Sequence, residues 1–406
     1  MSVPLDWLII GGGIHGVHIA ARLLGESGVA PERLRIVDPG ERLLAHWCSY
    51  AATTGMTHLR SPGVHHLDLA PFSLLHFAGK RRKRKRLKTG LFAPPNDRPA
   101  LALFNAHCDR VVETFGLANL HIQDRATKCS VDRDVVGVQL SSGREMAAQH
   151  LVLAIGASEQ PEWPDWAPRG HARVHHVFEP GFDGWPSSRE TVVVIGGGIS
   201  AVQVALRLVE EGHRVHLVSR HALRQHQFDS DPGWLGPKCM ERFHRERDLD
   251  RRRTLIAEAR HKGSVPPDVR RALRRSIAGG QLLWHEGEVE RFDGRRDLLA
   301  LRLASHSELE AERVLLATGF ASTRPGGSMV DALIASASLP CARCGYPIVD
   351  SALRWHPRIH VSGPLAELEL GPASRNIAGA RLAGARLAEA AGRVARKDQG
   401  PSGSLG

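Results

Sequence analysis

The sequence predicts an α/β protein made of two similar halves, one inserted in the other. A buried strand, a glycine-rich turn and a helix occur near residue 11 and again near residue 196. A second apolar strand follows each helix, so each copy forms one βαβ unit. A strand at 358–362 and an alanine-rich helix from 373 to about 394 then return the chain to the first half. These observations predict two Rossmann-like dinucleotide-binding domains, the second inserted in a discontinuous first.

The first turn has the pattern G-x-G-x-x-G, after a strand at 5–11. The first glycine makes a tight turn, the second lets the backbone approach a pyrophosphate, and the third lets the helix pack on the strand. The phosphates then lie at the helix N-terminus, where free N–H groups favour negative charge. An acid closes the second strand and can accept hydrogen bonds from ribose hydroxyls. The residues of this site are Gly11, Gly13, Ile14, His15, Gly16, Asp38 and Pro39.

The second turn has the pattern G-x-G-x-x-A, formed by Gly196, Gly198 and Ala201, with Ser200 at the start of the helix. Its second strand ends at Ser219-Arg220 and not at an acid. An acid would repel a 2′-phosphate, whereas Ser and Arg can hold one, which favours NADPH over NADH. The alternative is that Arg220 is simply a surface residue.

Two short segments are predicted to support these turns. Ala154 and Gly156 follow a buried strand of the first half, and Thr318 and Gly319 follow the matching strand of the second. Such glycines mark crossovers at which the backbone passes close to a dinucleotide.

The predicted domain bounds follow from these elements. The first domain takes residues 1–162 and resumes at 336–396, and the second domain takes residues 163–335, with a charged helical insertion at about 228–275. Residues 157–188, rich in Pro, Gly and Trp, are interpreted as a linker, and residues 397–406 as a disordered tail.

Composition narrows the classes of function. The 406 residues are 42% hydrophobic and 24% charged, as in globular proteins, and no apolar run reaches the roughly 20 residues of a membrane helix. The net charge of +11 comes partly from the run at 80–88, but no aromatic residues interleave with it, so nucleic acid is not favoured as a partner. Six scattered cysteines do not form a disulfide framework, which favours a cytoplasmic protein. No metal-ligand spacing is present.

The order of these motifs resembles the two-dinucleotide-binding flavoproteins, and most closely the class B flavin monooxygenases of the ornithine and lysine N-hydroxylase type. Four segments carry the resemblance: 56–62 (MTHLRSP), 228–232 (FDSDP), 317–320 (ATGF) and 361–364 (VSGP), the last followed by 370–372 (LGP). The resemblance assigns FAD to the first turn and NADPH to the second. It adds the following residues to the cofactor sites: Met56, Leu59, Arg60, Gly363, Pro364, Leu370 and Gly371.

The resemblance also implies a reaction. NADPH would reduce FAD, and the reduced flavin would bind O₂ as a C4a-hydroperoxide. A small amine or other soft nucleophile would then take the distal oxygen. The flavin performs the difficult chemistry, so no catalytic side chain is nominated. Substrate and oligomeric state stay open, including a homo-oligomer.

Two other functions stay open. Cys341 and Cys344 form a C-x-x-C pair, which could make the protein an NAD(P)H-dependent reductase that uses a disulfide or a partner protein as acceptor. Two structural thiols are the preferred interpretation of this pair. The second alternative is a flavin-binding sensor or interaction protein with little turnover.

Overall fold

The computed structural model describes residues 4–79, 90–132, 135–294 and 298–398, with side chains as far as residue 392. The basic run at 80–88 lies outside the described residues, as does the chain beyond 398. The predicted tail starts too early, because the last helix includes residues 397 and 398.

The first part of the chain alternates strands and helices before it leaves the first sheet. Its elements are β1 (Leu5–Ile10), α1 (Ile14–Glu26), β2 (Leu34–Asp38), α2 (Ala45–Thr54), α3 (Ser73–Phe77), β3 (Phe92–Ala93), β4 (Arg98–Pro99), α4 (Leu101–Thr114), β5 (His121–Gln123), β6 (Ala126–Val131), β7 (Val136–Leu140) and β8 (Glu145–Leu153).

The middle of the chain forms the second sheet and the helical insertion. Its elements are β9 (Val174–His176), β10 (Thr191–Ile195), α5 (Ile199–Glu210), β11 (Arg214–Ser219), β12 (Arg224–Gln225), α6 (Pro237–Arg245), α7 (Leu249–Ala259), β13 (Ser264–Val265), α8 (Pro267–Ala278), β14 (Leu282–Glu286), β15 (Val289–Gly294), β16 (Leu299–Leu303), β17 (Glu308–Ala311) and β18 (Arg313–Leu316).

The last part returns to the first sheet. Its elements are α9 (Gly327–Ala337), β19 (Arg354–His356), β20 (Ile359–Val361), α10 (Glu367–Leu370), a 3₁₀ turn (Gly371–Arg375) and α11 (Ile377–Asp398).

The first sheet has the strand order β19–β20–β8–β1–β2–β5, and the β6–β7 hairpin extends from β8. The strands β20, β8, β1, β2 and β5 are parallel to their neighbours. Successive residues of β1 face opposite cores: Ile9 packs with α1 and α11, whereas Leu8 packs with α9 and β7. A parallel sheet covered on both faces explains why β1 is almost continuously apolar.

The second sheet lies wholly within the interval between β8 and β19. Its order is β14–β11–β10–β18–β9, with every pair parallel. An antiparallel sheet of β15, β16 and β17 lies beside it. This topology confirms the predicted fold class, in which the second Rossmann-like domain interrupts the first.

Several local predictions need correction. The segment interpreted as a linker at 157–188 contains β9, the edge strand of the second sheet. The irregular stretch at 43–78 contains α2, of which only Ala51 and Thr54 are buried, so it lacks an amphipathic period. α9 packs in the core of the first sheet through Val330 and Leu333. This packing favours a return to the first domain near residue 325 instead of the predicted 336.

Arginines make much of the contact between the two halves. Arg98 in β4 is buried, and its Nη2 donates to Asp268 Oδ2 at the start of α8 over 2.6 Å. Arg207 in α5 donates to the carbonyl oxygens of Ala52 and Thr53 at the end of α2, over 3.0 and 3.1 Å. Because these bonds join elements of the two halves, they fix the halves against each other.

Arg98→Met should lower the free energy of unfolding by about 2 kcal/mol, because it removes a buried charge-assisted contact and leaves carbonyl acceptors unpaired. Arg110→Met is the control, since Arg110 and its partner Glu113 are both exposed. The control should change stability by no more than about 0.5 kcal/mol. Urea unfolding of the two variants would contradict this account if their midpoints were equal.

Candidate functional site

Two positions of the first glycine turn, Gly11 and Gly16, have no room for a side chain. Gly11 has φ +111°, and a Cβ there would overlap the carbonyl oxygen of Ala154, which follows β8. Its N–H donates to the Val37 carbonyl of β2 over 2.8 Å. A Cβ on Gly16 would overlap the carbonyl oxygen of Gly11 itself. The turn is therefore held between two neighbouring strands, with α1 packed directly on it.

Gly13 differs from these two glycines because it faces open space. A Cβ on Gly13 would meet no atom within 4 Å. Gly13 is the N-cap of α1, and no side chain caps the helix there or places an acid in its first turn. The open space and the uncapped N–H groups are together what a pyrophosphate requires. Ile14, the next residue, packs against the hydrophobic core that contains Ile9 and residues of α1 and α11.

Asp38 is fixed at the end of β2 by backbone donors. Its Oδ2 accepts from the Gly12 N–H over 2.6 Å, and its Oδ1 accepts from the Gly40 N–H over 2.8 Å. Each carboxylate oxygen has a further lone pair. The carboxylate therefore lies against the glycine turn, where the ribose contact was predicted, and Pro39 follows on the surface.

The second turn repeats the construction of the first. Gly196 has φ +150°, and a Cβ there would overlap the carbonyl oxygen of Ala317, which follows β18. Its N–H donates to Val218 of β11 over 2.9 Å. The buried Ala201 takes the place that Gly16 has in the first turn. Gly198 is the N-cap of α5, again without a side-chain cap, and Ser200 lies half-buried in the first helical turn.

The two residues predicted at the end of β11 differ in exposure. Ser219 is 1% exposed. Its hydroxyl donates to the His221 carbonyl over 3.0 Å and accepts from Trp284 Nε1 over 2.9 Å. The hydroxyl therefore has hydrogen bonds inside the domain, which does not favour the predicted contact with a 2′-phosphate. The Arg220 side chain is 78% exposed, 4.0 Å from Glu288, and can reach a phosphate beyond the strand end.

The two crossovers pair with each other. Pro161 and Phe320 form an antiparallel bridge, and the Glu162 N–H donates to the Gly319 carbonyl over 2.9 Å. Gly156 and Gly319 both have left-handed φ angles, of +63° and +89°. The first and second domains thus meet in a two-stranded hinge that contains both predicted glycines.

His176, which the sequence did not single out, orients Thr318 in this hinge. The Phe178 N–H donates to His176 Nδ1 over 3.1 Å, so the other nitrogen carries the proton and donates to Thr318 Oγ1 over 3.2 Å. Thr318 in turn donates to the Glu162 carbonyl. Burial lowers the pKa of His176 to about 4, so the ring is neutral at pH 7. The Thr318 hydroxyl forms its hydrogen bonds within the hinge. A dinucleotide would therefore contact the backbone of Thr318 and not its hydroxyl.

The segment at 56–62 meets the start of the helical insertion. Arg60 Nε donates to the Gln227 carbonyl over 2.8 Å, and Nη2 donates to the carbonyls of His226 and Phe228 over 2.8 and 2.7 Å. The structure thus gives this guanidinium an interdomain contact, and its predicted contact with the cofactor stays a prediction. Leu59 lies in the same hydrophobic core as Ile9, and Met56 packs against that core.

The return segment closes over the first turn. His15 Nδ1 lies 2.8 Å from Ser362 Oγ, and burial lowers the pKa of His15 to about 4, with a backbone hydrogen bond to Asn376 opposing the shift. Gly363 and Gly371 adopt left-handed φ angles of +65° and +70°. The remaining predicted residues of this segment, Pro364 and Leu370, are buried beside them.

Several buried side-chain atoms have no hydrogen-bond partner among the described residues. They include the hydroxyl of Ser374, which follows this segment and is 0% exposed, and the side-chain amide of Gln227, whose main-chain carbonyl accepts from Arg60. An unpaired buried polar group costs about 1–3 kcal/mol, so a ligand that pairs with it is favoured. Together with the open position at Gly13, these groups fit a bound FAD.

Cys341 and Cys344 do not have the features of a redox pair. All six cysteines are free thiols. Cys341 pairs with Pro347 in a tight hairpin, and burial raises the pKa of its thiol more than Arg324, which acts in the opposite direction, lowers it. A reactive thiol needs a lowered pKa, which the end of a helix or a nearby cation provides in redox enzymes.

No group of three or more His, Cys, Asp or Glu side chains in the described ranges could hold a metal ion. None of the helices that the structure describes is long and apolar enough to cross a membrane.

Comparison with protein-family models gives two matches. A model of FAD-NAD(P)-binding proteins matches residues 8–158, and a model of pyridine nucleotide-disulphide oxidoreductases matches residues 92–257. No curated protein sequence matches this chain significantly.

Solved structures match over almost the whole chain. The ornithine N-hydroxylase of Kutzneria sp. 744, solved with reduced FAD, NADP⁺ and L-ornithine, has 17% identity and a TM-score of 0.76, with 97% of this chain and 100% of that chain covered. The L-lysine 6-monooxygenase of Pseudomonas syringae has 21% identity and a TM-score of 0.72, with 96% and 99% covered. The bacillithiol disulfide reductase of Bacillus cereus has 18% identity and a TM-score of 0.61, with 97% and 100% covered.

These likenesses confirm, at the level of the fold, the predicted resemblance to the class B flavin monooxygenases. The chain has the two-domain fold of the FAD- and NAD(P)-binding flavoproteins, the fold that the ornithine and lysine hydroxylases share.

Proposed function

We propose that this protein is an FAD-dependent, NADPH-consuming monooxygenase that uses O₂ to oxygenate a small amine or other soft nucleophile. The observation that carries the proposal is the pair of identically built glycine turns, each pressed against the carbonyl of its crossover, in a chain that matches N-hydroxylase structures end to end. The flavin supplies hydride acceptance and the activation of O₂.

In this proposal the residues of the chain bind and orient the two cofactors and exclude water from them. Gly13 and the first turn of α1 hold the FAD pyrophosphate, and Asp38 holds its ribose. Gly198 and the first turn of α5 hold the NADPH pyrophosphate, while Arg220 meets the 2′-phosphate. The predicted domain bounds remain part of the proposal, with the return placed near residue 325.

The reductase alternative has support from the likeness to a bacillithiol disulfide reductase. The TM-score for that protein is lower than for the hydroxylases, and the raised pKa of the Cys341 thiol does not suit disulfide exchange. A sensor with little turnover would use the same two sites. We place the protein in the cytoplasm, because its six cysteines are free thiols. Small molecules and O₂ are its proposed partners.

Gly13→Ala should weaken FAD binding by at least about tenfold while leaving the apoprotein as stable as the wild type. Its φ of −79° suits alanine, and the methyl group would occupy the open space reserved for the pyrophosphate. Gly11→Ala is the matched comparison: its strained φ and the Ala154 carbonyl should cost the apoprotein at least about 2 kcal/mol. Flavin fluorescence titration and thermal unfolding would contradict the assignment if Gly13→Ala bound FAD normally.

Arg220→Gln should raise the KM for NADPH about tenfold and leave the KM for NADH unchanged, because only NADPH carries the 2′-phosphate. Ser219→Ala should preserve the ratio of the two KM values, since the Ser219 hydroxyl is used inside the domain. Steady-state flavin reduction with both nucleotides measures the ratio. A loss of NADPH preference in Ser219→Ala alone would reverse the assignment.

Oxygenation itself is tested with the FAD-loaded protein under oxygen-18 gas, with NADPH and L-ornithine, L-lysine or thioanisole as nucleophile. We expect O₂ consumption that depends on NADPH, and one labelled oxygen atom in the product of a nucleophile that is accepted. The Cys341→Ser variant should turn over at the wild-type rate. If O₂ fails to reoxidise the reduced flavin and Cys341→Ser abolishes turnover, the protein is a reductase.

A further inference from the structure

Four cationic side chains lie close together where the helical insertion meets the return segment. Arg253 comes from α7, Arg260 and Lys262 come from the loop that follows it, and Arg375 ends the 3₁₀ turn. The pKa of Lys262 is lowered by partial removal from water and then by Arg260, Arg375 and Arg253, in that order. The four charges are therefore close enough to repel one another.

Two of these arginines already share a carboxylate. Glu367 is 0% exposed, and its Oε2 accepts from Arg375 Nε over 2.8 Å while its Oε1 contacts Arg253. Arg375 Nη2 also donates to the Tyr346 hydroxyl over 3.0 Å, and the Arg253 guanidinium lies 4.1 Å from the centre of the Tyr346 ring. Glu367 thus neutralises one charge and positions both guanidinium groups.

Arg260 and Lys262 have no such partner. Among the described residues, no carboxylate lies within 4 Å of either side chain. Burial lowers the pKa of the Arg260 guanidinium, and Arg375 lowers it further, although Asp229 acts in the opposite direction. Glu162 likewise acts to raise the pKa of Lys262. A half-buried arginine without an ion pair is unfavourable unless an anion joins it.

The surroundings of this pair indicate a ligand. Gly263, next to Lys262, has its Cα 3.8 Å from the Cβ position of Gly198, so the loop lies against the second glycine turn. On the other side, Arg375 follows Ser374, whose fully buried hydroxyl has no partner among the described residues. The cations thus lie between the loop that contacts the second glycine turn and the return segment.

We propose that Arg260 and Lys262, with Arg375 across the cleft, bind an anionic group, a carboxylate or a phosphate, of a ligand that enters between the two domains. A guanidinium holds such a group through two parallel N–H donors, and the ammonium adds a point charge. None of these three residues belongs to the cofactor contacts predicted from the sequence. The site does not depend on oxygenation, so it can be tested separately from the proposed function.

The test uses the FAD-loaded protein at low ionic strength, with NADP⁺ and malonate as separate probes in isothermal titration. Arg260→Gln and Lys262→Gln should each weaken the binding of at least one probe about tenfold or more. Arg251→Gln is the matched control, because Arg251 is an exposed arginine of α7 paired with Glu258 over 3.5 Å. The control should bind both probes as the wild type does. Lys262 is exposed, so its variant should fold even if Arg260→Gln does not.

Each outcome decides the source of the anion or rejects the site. Weaker NADP⁺ binding with unchanged malonate binding identifies a nucleotide phosphate. Weaker malonate binding with unchanged NADP⁺ binding identifies the carboxylate of an acidic substrate. Unchanged affinity for both probes in Lys262→Gln and in Arg260→Gln, or an equal loss in Arg251→Gln, would overturn the proposal, whatever the oxygenation assay shows.

Discussion

The contact on which this structure depends is the close approach of a glycine to a crossover carbonyl, made once in each domain. Gly11 lies against Ala154 and Gly196 lies against Ala317, at φ angles that side chains rarely adopt. In each domain the approach fixes the turn at the junction of two strands, and with it the position of the first N–H groups of α1 or α5. Any side chain at either glycine would move the helix start, and with it the anion site.

The sequence predicted this constraint well because it is local. The spacing of glycines after an apolar strand reports the turn directly, and Thr191–Ile195 is a strand in both prediction and structure. The elements that were missed owe their form to distant partners. β9 is an edge strand of three residues stabilised by β18, and α2 buries only two residues. No window of sequence contains those partners.

The same division applies to the site. Residue type and position indicated that Ser219 and Arg220 could hold a phosphate, but only the structure shows that Trp284 occupies the serine hydroxyl. Likewise, Arg60 was identified by resemblance. Its hydrogen bonds to the carbonyls of residues 226–228 are visible only in the structure, because those residues are far from it in the sequence. A side chain's hydrogen-bond partners, which decide whether it is free for a ligand, come mostly from remote parts of the chain.

Part of the net charge of +11 comes from arginines that lie between the two halves of the protein. Arg60 crosses between the halves to main-chain carbonyls, which carry no charge that could neutralise it, whereas Arg207 also pairs with Glu211 over 2.9 Å. Among the interdomain cations, Arg253 and Arg375 are the ones that share a buried carboxylate. Arg260 and Lys262 are the cations that the proposed anion site leaves without a carboxylate among the described residues. Because the field of such charges is weakly screened beside low-dielectric protein, they would draw an anionic ligand to the boundary between the halves.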